Sequence, residues 1–107
     1  MSESRVLESV SNISYTRYGR LVVSRTPVTV LQANPKRISL VVVNHGNYDL
    51  YVGFDNDIAN REGFYVEPHG GHVSIRKIED GEMVTRQILA CAPDGDCKVW
   101  FVEEVEV

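Results

Sequence analysis

The sequence has no apolar run that approaches the roughly 20 residues needed to cross a bilayer as a helix. Its first residues, MSESRVLESVSNIS, also lack the basic start and the continuous apolar stretch of a signal peptide. The formal net charge is −4, which argues against binding nucleic acid through clustered Lys and Arg side chains. These absences predict a soluble protein, made in a cytoplasm, that contacts neither a membrane nor nucleic acid.

Motifs of catalysis and of nucleotide binding are also absent. The sequence contains no G-x-x-x-x-G-K-[ST] and no G-x-G-x-x-G, and neither Ser39 nor Ser74 lies in a G-x-S-x-G elbow. A triad assembled from distant residues stays open, although nothing in the pattern requires one. We therefore expect no enzymatic activity, no catalytic residues and no cofactor.

Metal-ligating residues occur in two places, and neither has the spacing of a known site. His45, His69 and His72 lie near glycines, and a flexible loop is a poor support for a metal. Asp55, Asp57 and Glu62 belong to an acidic stretch at 55–62, but the spacing does not match a calcium loop, and such residues commonly shape turns. We expect no metal ligands, while a cation bound at the acidic stretch stays an alternative.

Cys91 and Cys97 are the only two cysteines in the sequence. They are too few for a zinc site without accompanying histidine motifs. Their spacing suits either a disulfide across a short hairpin or two free thiols, and a reducing cytoplasm favours the free thiols. The choice between the two stays open at this point.

Residues 20–107 have the alternating apolar pattern and the turn signals of an antiparallel all-β protein. About seven or eight short strands separated by turns predict a β-sandwich or small jelly roll. Asp94-Gly95 predicts a hairpin that joins the last two strands, 84–92 and 98–107. The predicted core consists of Val22, Val30, Ile38, Leu40, Val42, Val52, Phe54, Val73, Ile75, Ile88, Ala90, Val99 and Phe101.

Residues 1–19 differ from the rest because they are rich in Ser, Glu and Arg. A short helix carrying Leu7, Val10 and Ile13 on one side is one interpretation, but such a helix alone is marginal in water. We predict instead a flexible N-terminal arm over 1–19 that orders on a partner, followed by a β-sandwich domain over 20–107.

The two ends of the sequence supply candidate interface residues. Trp100 and Phe101 are adjacent in a predicted strand and must point to opposite faces. Either Phe101 lies in the core and Trp100 faces outward, or Trp100 lies in the core and Phe101 is on the other face. The final strand carries glutamates that are expected to face solvent or a neighbouring subunit. The predicted interface residues are Arg17, Tyr18, Arg20, Trp100, Glu103 and Glu104.

The stretch TPVTVLQANPKRISLVVVNHGNYDLYVGFDNDIANREGFYVEPHGG resembles a pattern of small virion proteins from tailed phages and related viruses, over about half of the chain. The pattern joins an ANP-x-R turn, a buried strand ending in Asn, YVGFD, a variable polar loop and GF-x-v-x-PGG, and His69 departs from it. The matching positions are Ala33, Asn34, Pro35, Arg37, Asn44, Tyr51, Val52, Gly53, Phe54, Gly63, Phe64, Pro68 and Gly71.

This resemblance implies a structural protein of the virion, assembled in the host cytoplasm as a capsid decoration or minor head component. Its implied partners are copies of itself and the major capsid or other virion proteins. One alternative is a β-sandwich module that binds carbohydrate or a receptor through Trp100. Another is a small metal-dependent cupin-like enzyme, which needs His and Glu side chains clustered inside the barrel.

Overall fold

The computed structural model describes residues 3–8 and 14–107, and within these residues it contains nine strands in two antiparallel sheets. The first sheet contains β1 (Glu3–Glu8), β2 (Ser14–Val23), β4 (Arg37–Asn44), β7 (Gly71–Arg76) and β9 (Cys97–Glu106). The second sheet contains β3 (Val28–Leu31), β5 (Leu50–Gly53), β6 (Phe64–Val66) and β8 (Ile88–Cys91). Short helical turns span Asn56–Asn60, Lys77–Asp80 and Gly81–Thr85.

The strand order is that of a jelly roll with one additional edge strand. The first sheet runs β1-β2-β9-β4-β7 and the second runs β3-β8-β5-β6. From β2 to β9 the chain crosses between the sheets at every connection except that between β5 and β6. This eight-stranded, two-sheet arrangement is the jelly roll, and the predicted all-β sandwich fold class is confirmed.

The core lies between the sheets because residues alternate between the two faces of each strand. In β9 the inward positions run from Cys97 through Val99, Phe101 and Glu103 to Val105, and all of them are buried. Most of the predicted core is confirmed. The core cluster contains, among others, Val30, Leu40, Val42, Val52, Ile75, Ile88, Ala90, Val99 and Phe101, with Phe54 and Val73 packed against it.

Some local predictions are wrong. Val22 is 54% exposed, because Leu21 and Val23 take the inward positions of β2. Ile38 is only partly buried, next to a register irregularity between β4 and β9. The hairpin predicted at Asp94-Gly95 does not form, since β8 and β9 belong to different sheets. The pattern also did not predict β1 and β6.

The predicted N-terminal arm falls only partly on described residues. Within it, residues 3–8 form β1 and pair with β2, while β2 begins at Ser14, so the predicted domain boundary at residue 20 falls inside a strand. Residues 1–2 and 9–13 lie outside the described part of the chain, and with them most of the short helix considered as an alternative. The division into an arm and a domain stays a prediction.

A buried ion pair between Arg37 and Glu103 joins β4 to β9 at one end of the fold. The two side chains are 1% and 2% exposed, and the Arg37 Nε donates a hydrogen bond of 2.7 Å to Glu103 Oε1. Arg37 Nη1 donates to the carbonyls of Val84, at 3.0 Å, and Arg86, at 2.9 Å, and Nη2 donates to the carbonyl of Gln32. One guanidinium thus holds β9, the loop after β3 and the turn before β8 together.

Asn44 lies at the end of β4 opposite to Arg37, and its side chain binds backbone groups of the neighbouring segments. Its Nδ2 donates to the carbonyls of Tyr48 and Val66, and its Oδ1 accepts from the Gly46 N–H at 2.8 Å. Gly46 packs directly on Cys97: a Cβ at this position would lie 2.7 Å from the Cα, Cβ and Sγ of Cys97. Gly46 is therefore required because two backbone segments approach each other closely there.

The burial of Glu103 predicts that two adjacent glutamates contribute very differently to stability. Glu103→Ala leaves the Arg37 charge buried without its partner and is expected to cost about 3–5 kcal/mol of unfolding free energy. Glu104→Ala, on the opposite face of β9, is expected to cost about 1 kcal/mol or less, because it removes a hydrogen bond from Ser14 in a half-buried place. Urea unfolding of both variants measures the difference, and equal losses would contradict the assignment.

Gly46→Ala is expected to lower the unfolding free energy by about 1–3 kcal/mol, because the added methyl group overlaps Cys97. Ser74→Ala, at an exposed position of β7, is the control and should change stability by less than about 0.5 kcal/mol. Thermal unfolding followed by circular dichroism compares the two. A Gly46→Ala variant as stable as the parent would contradict close packing of Gly46 against Cys97.

Candidate functional site

A pocket of about 240 Å³ opens between the sheets, at the end where Arg37 and Glu103 lie. Phe101 and Glu103 from β9 form one wall, and β3 with the loop after it forms the other. Arg17 of β2 and Arg37 at the start of β4 complete the lining. The residues that line it are Arg17, Thr29, Val30, Leu31, Gln32, Ala33, Asn34, Arg37, Phe101 and Glu103.

Arg17 is the charged side chain of this pocket that reaches solvent. It is directly opposite Glu103 in the pairing of β2 with β9, and its Nη1 lies 3.4 Å from Glu103 Oε2. Its side chain is 41% exposed, whereas Arg37 is buried. The two oxygens of Glu103 thus face two different guanidinium groups, which leaves the cluster with a formal charge of +1.

The rest of the lining provides apolar surface and neutral polar groups. Val30, Leu31 and Phe101 belong to the core and present apolar atoms to the pocket. The Thr29 hydroxyl accepts a hydrogen bond of 2.8 Å from Gln87 Nε2, and Asn34 Oδ1 accepts one of 2.9 Å from the Lys36 N–H. Such a pocket can hold a small molecule with one negative group.

The six residues predicted as an interface lie on β2 and β9, but on two different faces. Tyr18, Arg20, Trp100 and Glu104 occupy the outward positions of these neighbouring strands, and the rings of Tyr18 and Trp100 are 6.1 Å apart. Arg17 and Glu103 point between the sheets and line the pocket. Of the two orientations left open for Trp100, the structure has the outward one, since Phe101 is buried in the core. Contact of any of the six with a partner stays a prediction.

The expectation that Glu103 faces solvent is wrong. Its carboxylate is 2% exposed and is bonded to Arg37 of the same chain. A signal for this was present, because Glu103 lies two residues after the inward-facing Phe101 and a strand repeats every second residue. No comparable pattern indicated that Arg37 is buried, because in the sequence it is only the last residue of a predicted turn.

The acidic stretch at 55–62 has a structural role in this fold. Asp55 caps the turn Asn56–Asn60, where its carboxylate accepts a hydrogen bond of 3.0 Å from the Asp57 N–H. Arg61 ends the turn in the left-handed region and binds Asp94 with two hydrogen bonds of 2.6 and 3.2 Å. The bonds from Arg61 hold the pKa of the Asp94 carboxyl below its usual range. These contacts hold the loop that contains residues 55–62 against the connection between β8 and β9.

The three histidines do not converge inside the barrel. His45, His69 and His72 are all exposed, and His69 has a positive φ of 64° in the turn before β7. Within residues 3–8 and 14–107, no three His, Cys, Asp or Glu side chains are grouped so that they could hold a metal ion. The described residues therefore do not supply the inward His and Glu cluster that a metal-dependent cupin-like enzyme needs.

Cys91 and Cys97 are both buried and free. The Cys91 thiol donates to the carbonyl of Arg25 at 3.1 Å, and the Cys97 thiol donates to the carbonyl of Tyr48 at 3.2 Å. Burial raises the pKa of both thiols, which keeps them protonated at neutral pH. They lie on strands of different sheets, so the predicted hairpin that would have placed them opposite each other is missing.

No helix in the described part of the chain is long and apolar enough to span a membrane. No protein-family model matches the sequence, and no curated protein matches it.

Solved structures with the same fold include a cupin domain and other bacterial proteins. A transcriptional regulator of the HTH_3 family from Vibrio cholerae superposes with a TM-score of 0.54 at 10% identity, over 95% of this chain and 49% of that one. The cupin_2 domain of an XRE family transcriptional regulator from Enterobacter cloacae gives 0.53 at 11% identity, over 95% and 94%. The EutQ protein of Clostridium difficile gives 0.50 at 9% identity, over 97% and 68%. This chain spans about half of the Vibrio cholerae protein.

These structures overturn the resemblance to virion proteins. The neighbours are domains of cellular proteins, so the predicted role as a capsid decoration or head component, and the predicted location in a virion, are wrong. The sequence pattern on which that role depended consists of residues in the strands and turns of this jelly roll. At this level of identity the likeness establishes the fold alone: the chain has the cupin fold, a two-sheet jelly roll.

Proposed function

We propose that this chain is a small-molecule-binding domain of the cupin fold, which takes a small organic anion into the pocket between its sheets. The observation that carries this proposal is the position of Arg17: a solvent-accessible guanidinium at a pocket whose only carboxylate in the described lining, Glu103, is already bound to Arg37. The pocket therefore offers the guanidinium of Arg17, whose ion pair with Glu103 is weaker than that of Arg37.

The geometry of the charges favours a carboxylate ligand. Arg37 already donates hydrogen bonds to Glu103 and to three carbonyls, so it serves as a fixed part of the wall. Arg17 approaches Glu103 at 3.4 Å, longer than the 2.7 Å of the buried bond. A guanidinium binds carboxylates with two parallel hydrogen bonds, and Arg17 can exchange its long contact for such a pair.

The size of the pocket limits the ligand. A volume of about 240 Å³ equals that of about eight water molecules at roughly 30 Å³ each. Ligand pockets for larger molecules usually exceed about 300 Å³. The ligand we propose is accordingly a monocarboxylate of about ten non-hydrogen atoms or fewer.

Binding without chemical conversion is the role we propose. The described lining contains no Ser, Cys or His, and Thr29 has its hydrogen bond from a glutamine rather than contact with a base. Two of the proteins with this fold are transcriptional regulators. A domain that senses a metabolite for such a regulator needs only selective binding, and we propose this kind of role for the pocket.

Titration of the isotope-labelled protein with acetate, isovalerate and benzoate, followed by NMR, tests the proposal. Benzoate is expected to bind saturably and to shift amide signals around Arg17, Val30 and Phe101, while benzamide, which has the same shape without the charge, should not. Arg17→Gln is expected to weaken binding by about tenfold to a hundredfold, which corresponds to one charged hydrogen-bonded contact.

Arg61→Gln is the matched control, because Arg61 is similarly exposed but lies on the turn bonded to Asp94. It should leave carboxylate binding unchanged. Affinity should also fall as salt is raised, since the attraction is electrostatic and the site is open to solvent. The proposed function is wrong if no carboxylate in the panel binds saturably, or if Arg17→Gln and Arg61→Gln weaken binding equally.

A further inference from the structure

A second hollow, of about 420 Å³, lies beside the connection between β5 and β6. Phe54 directly follows β5 and Phe64 begins β6, and their rings stand at 86° to each other with centroids 6.1 Å apart. The register brings the two together, because Val52 of β5 pairs with Phe64. We call this site the aromatic hollow, and its lining residues are Gly53, Phe54, Asp55, Asp57, Ile58, Glu62, Gly63 and Phe64.

The floor of the aromatic hollow is closely packed. Ile58 is 1% exposed, and a Cβ on either neighbouring glycine would crowd its Cγ2, at 2.7 Å from Gly53 and 3.2 Å from Gly63. The turn that carries Ile58 is held at its start by the cap from Asp55. At its end the Arg61 N–H donates to the Ile58 carbonyl at 3.1 Å. The hollow is therefore preformed, which spares a ligand the cost of ordering it.

The lining of the aromatic hollow carries an excess of negative charge. Asp55, Asp57 and Glu62 are exposed there, and none of the three forms an ion pair with another described residue. Arg61 is next to Glu62 in the sequence, but its guanidinium is bonded to Asp94. Charges of one sign around a hollow attract a ligand of the opposite sign.

The aromatic rings also favour a cation. The guanidinium of Arg86 lies 5.4 Å from the centroid of the Phe54 ring, a distance at which an aromatic face attracts a positive charge. Arg86 is not part of the lining, and it offsets only one of the three negative charges. Phe64, at 36% exposed, is the more accessible ring of the pair.

The apolar floor favours one kind of cation. The side chains of Phe54, Ile58 and Phe64 have no hydrogen-bond acceptor, so an ammonium group with N–H donors would lose its hydration there without replacement. A quaternary ammonium has no N–H to satisfy and binds well against aromatic rings. A metal ion is not suited, because no three His, Cys, Asp or Glu side chains in the described part of the chain are grouped to hold one.

We propose that the aromatic hollow binds a small quaternary ammonium ion. Its methyl groups contact Phe54, Ile58 and Phe64, and its charge faces the carboxylates of Asp57 and Glu62. Ligand pockets commonly measure roughly 300–1,000 Å³, so the hollow accommodates a compound the size of choline. This site shares no lining residue with the pocket of Arg17, so the two bind ligands of opposite charge independently.

NMR titration of the isotope-labelled protein with choline tests the proposal. Choline is expected to bind saturably and to shift the amide signals of Gly53, Ile58 and Gly63. Two probes of the same skeleton isolate its chemistry. The neutral isostere, in which a tert-butyl group replaces the trimethylammonium, should not bind saturably, and ethanolamine, which carries N–H donors, should bind more weakly than choline. Arg17→Gln should leave choline binding unchanged.

Two pairs of variants test the ring and the carboxylates separately. Phe64→Leu keeps an apolar side chain without the aromatic face and is expected to weaken choline binding by about threefold to tenfold. Tyr65→Leu, on the opposite face of β6, is its control and should have no effect. The double variant Asp57→Asn with Glu62→Gln should weaken binding by about threefold or more, whereas Asp96→Asn with Glu106→Gln, at exposed acids elsewhere, should not.

Circular dichroism verifies that each variant is folded. The proposal is overturned if choline does not bind saturably, or if the neutral isostere or ethanolamine binds as tightly as choline. It is also overturned if Phe64→Leu and Tyr65→Leu have equal effects, or if the two double variants do.

Discussion

The buried ion pair of Arg37 and Glu103 is the constraint on which the rest of this structure depends. A guanidinium removed from water must satisfy its hydrogen bonds inside the protein, because a buried charge without partners costs several kcal/mol. Arg37 does so with Glu103 on the last strand and with carbonyls from two separate loops. The pair therefore decides how β4, β9 and the two loops meet at this end of the sandwich.

The same pair creates the candidate site. Since Arg37 takes one oxygen of Glu103, the other oxygen remains for Arg17, which stays partly in solvent. β9 then serves two surfaces through its alternation. Its inward positions carry Phe101 and Glu103 to the pocket, while Lys98, Trp100 and Glu106 occupy its outward positions.

The sequence motif that resembled virion proteins consists of residues that hold the fold together. Asn34 Oδ1 and the Asn34 carbonyl close the turn before β4, and Asn44 binds the turn after it. Gly63 has a φ of 98°, and a Cβ at Gly71 would lie 2.4 Å from the Glu67 carbonyl oxygen. Such positions are set by backbone geometry and recur wherever similar strands are joined. They therefore indicated the architecture correctly and the function wrongly.

The sequence by itself determined most of the strands and most of the core, because alternation is a local property of an extended backbone. It also contained the inward position of Glu103, two residues after Phe101, although the run of acids in VEEVEV obscured it. Tertiary structure alone decided which distant side chains pair with each other. Arg37 and Glu103 are 66 residues apart, and only the crossing of the chain between two sheets brings them together. The same crossing separates β8 from β9 and makes the pocket, since no local pattern specifies which sheet a strand joins.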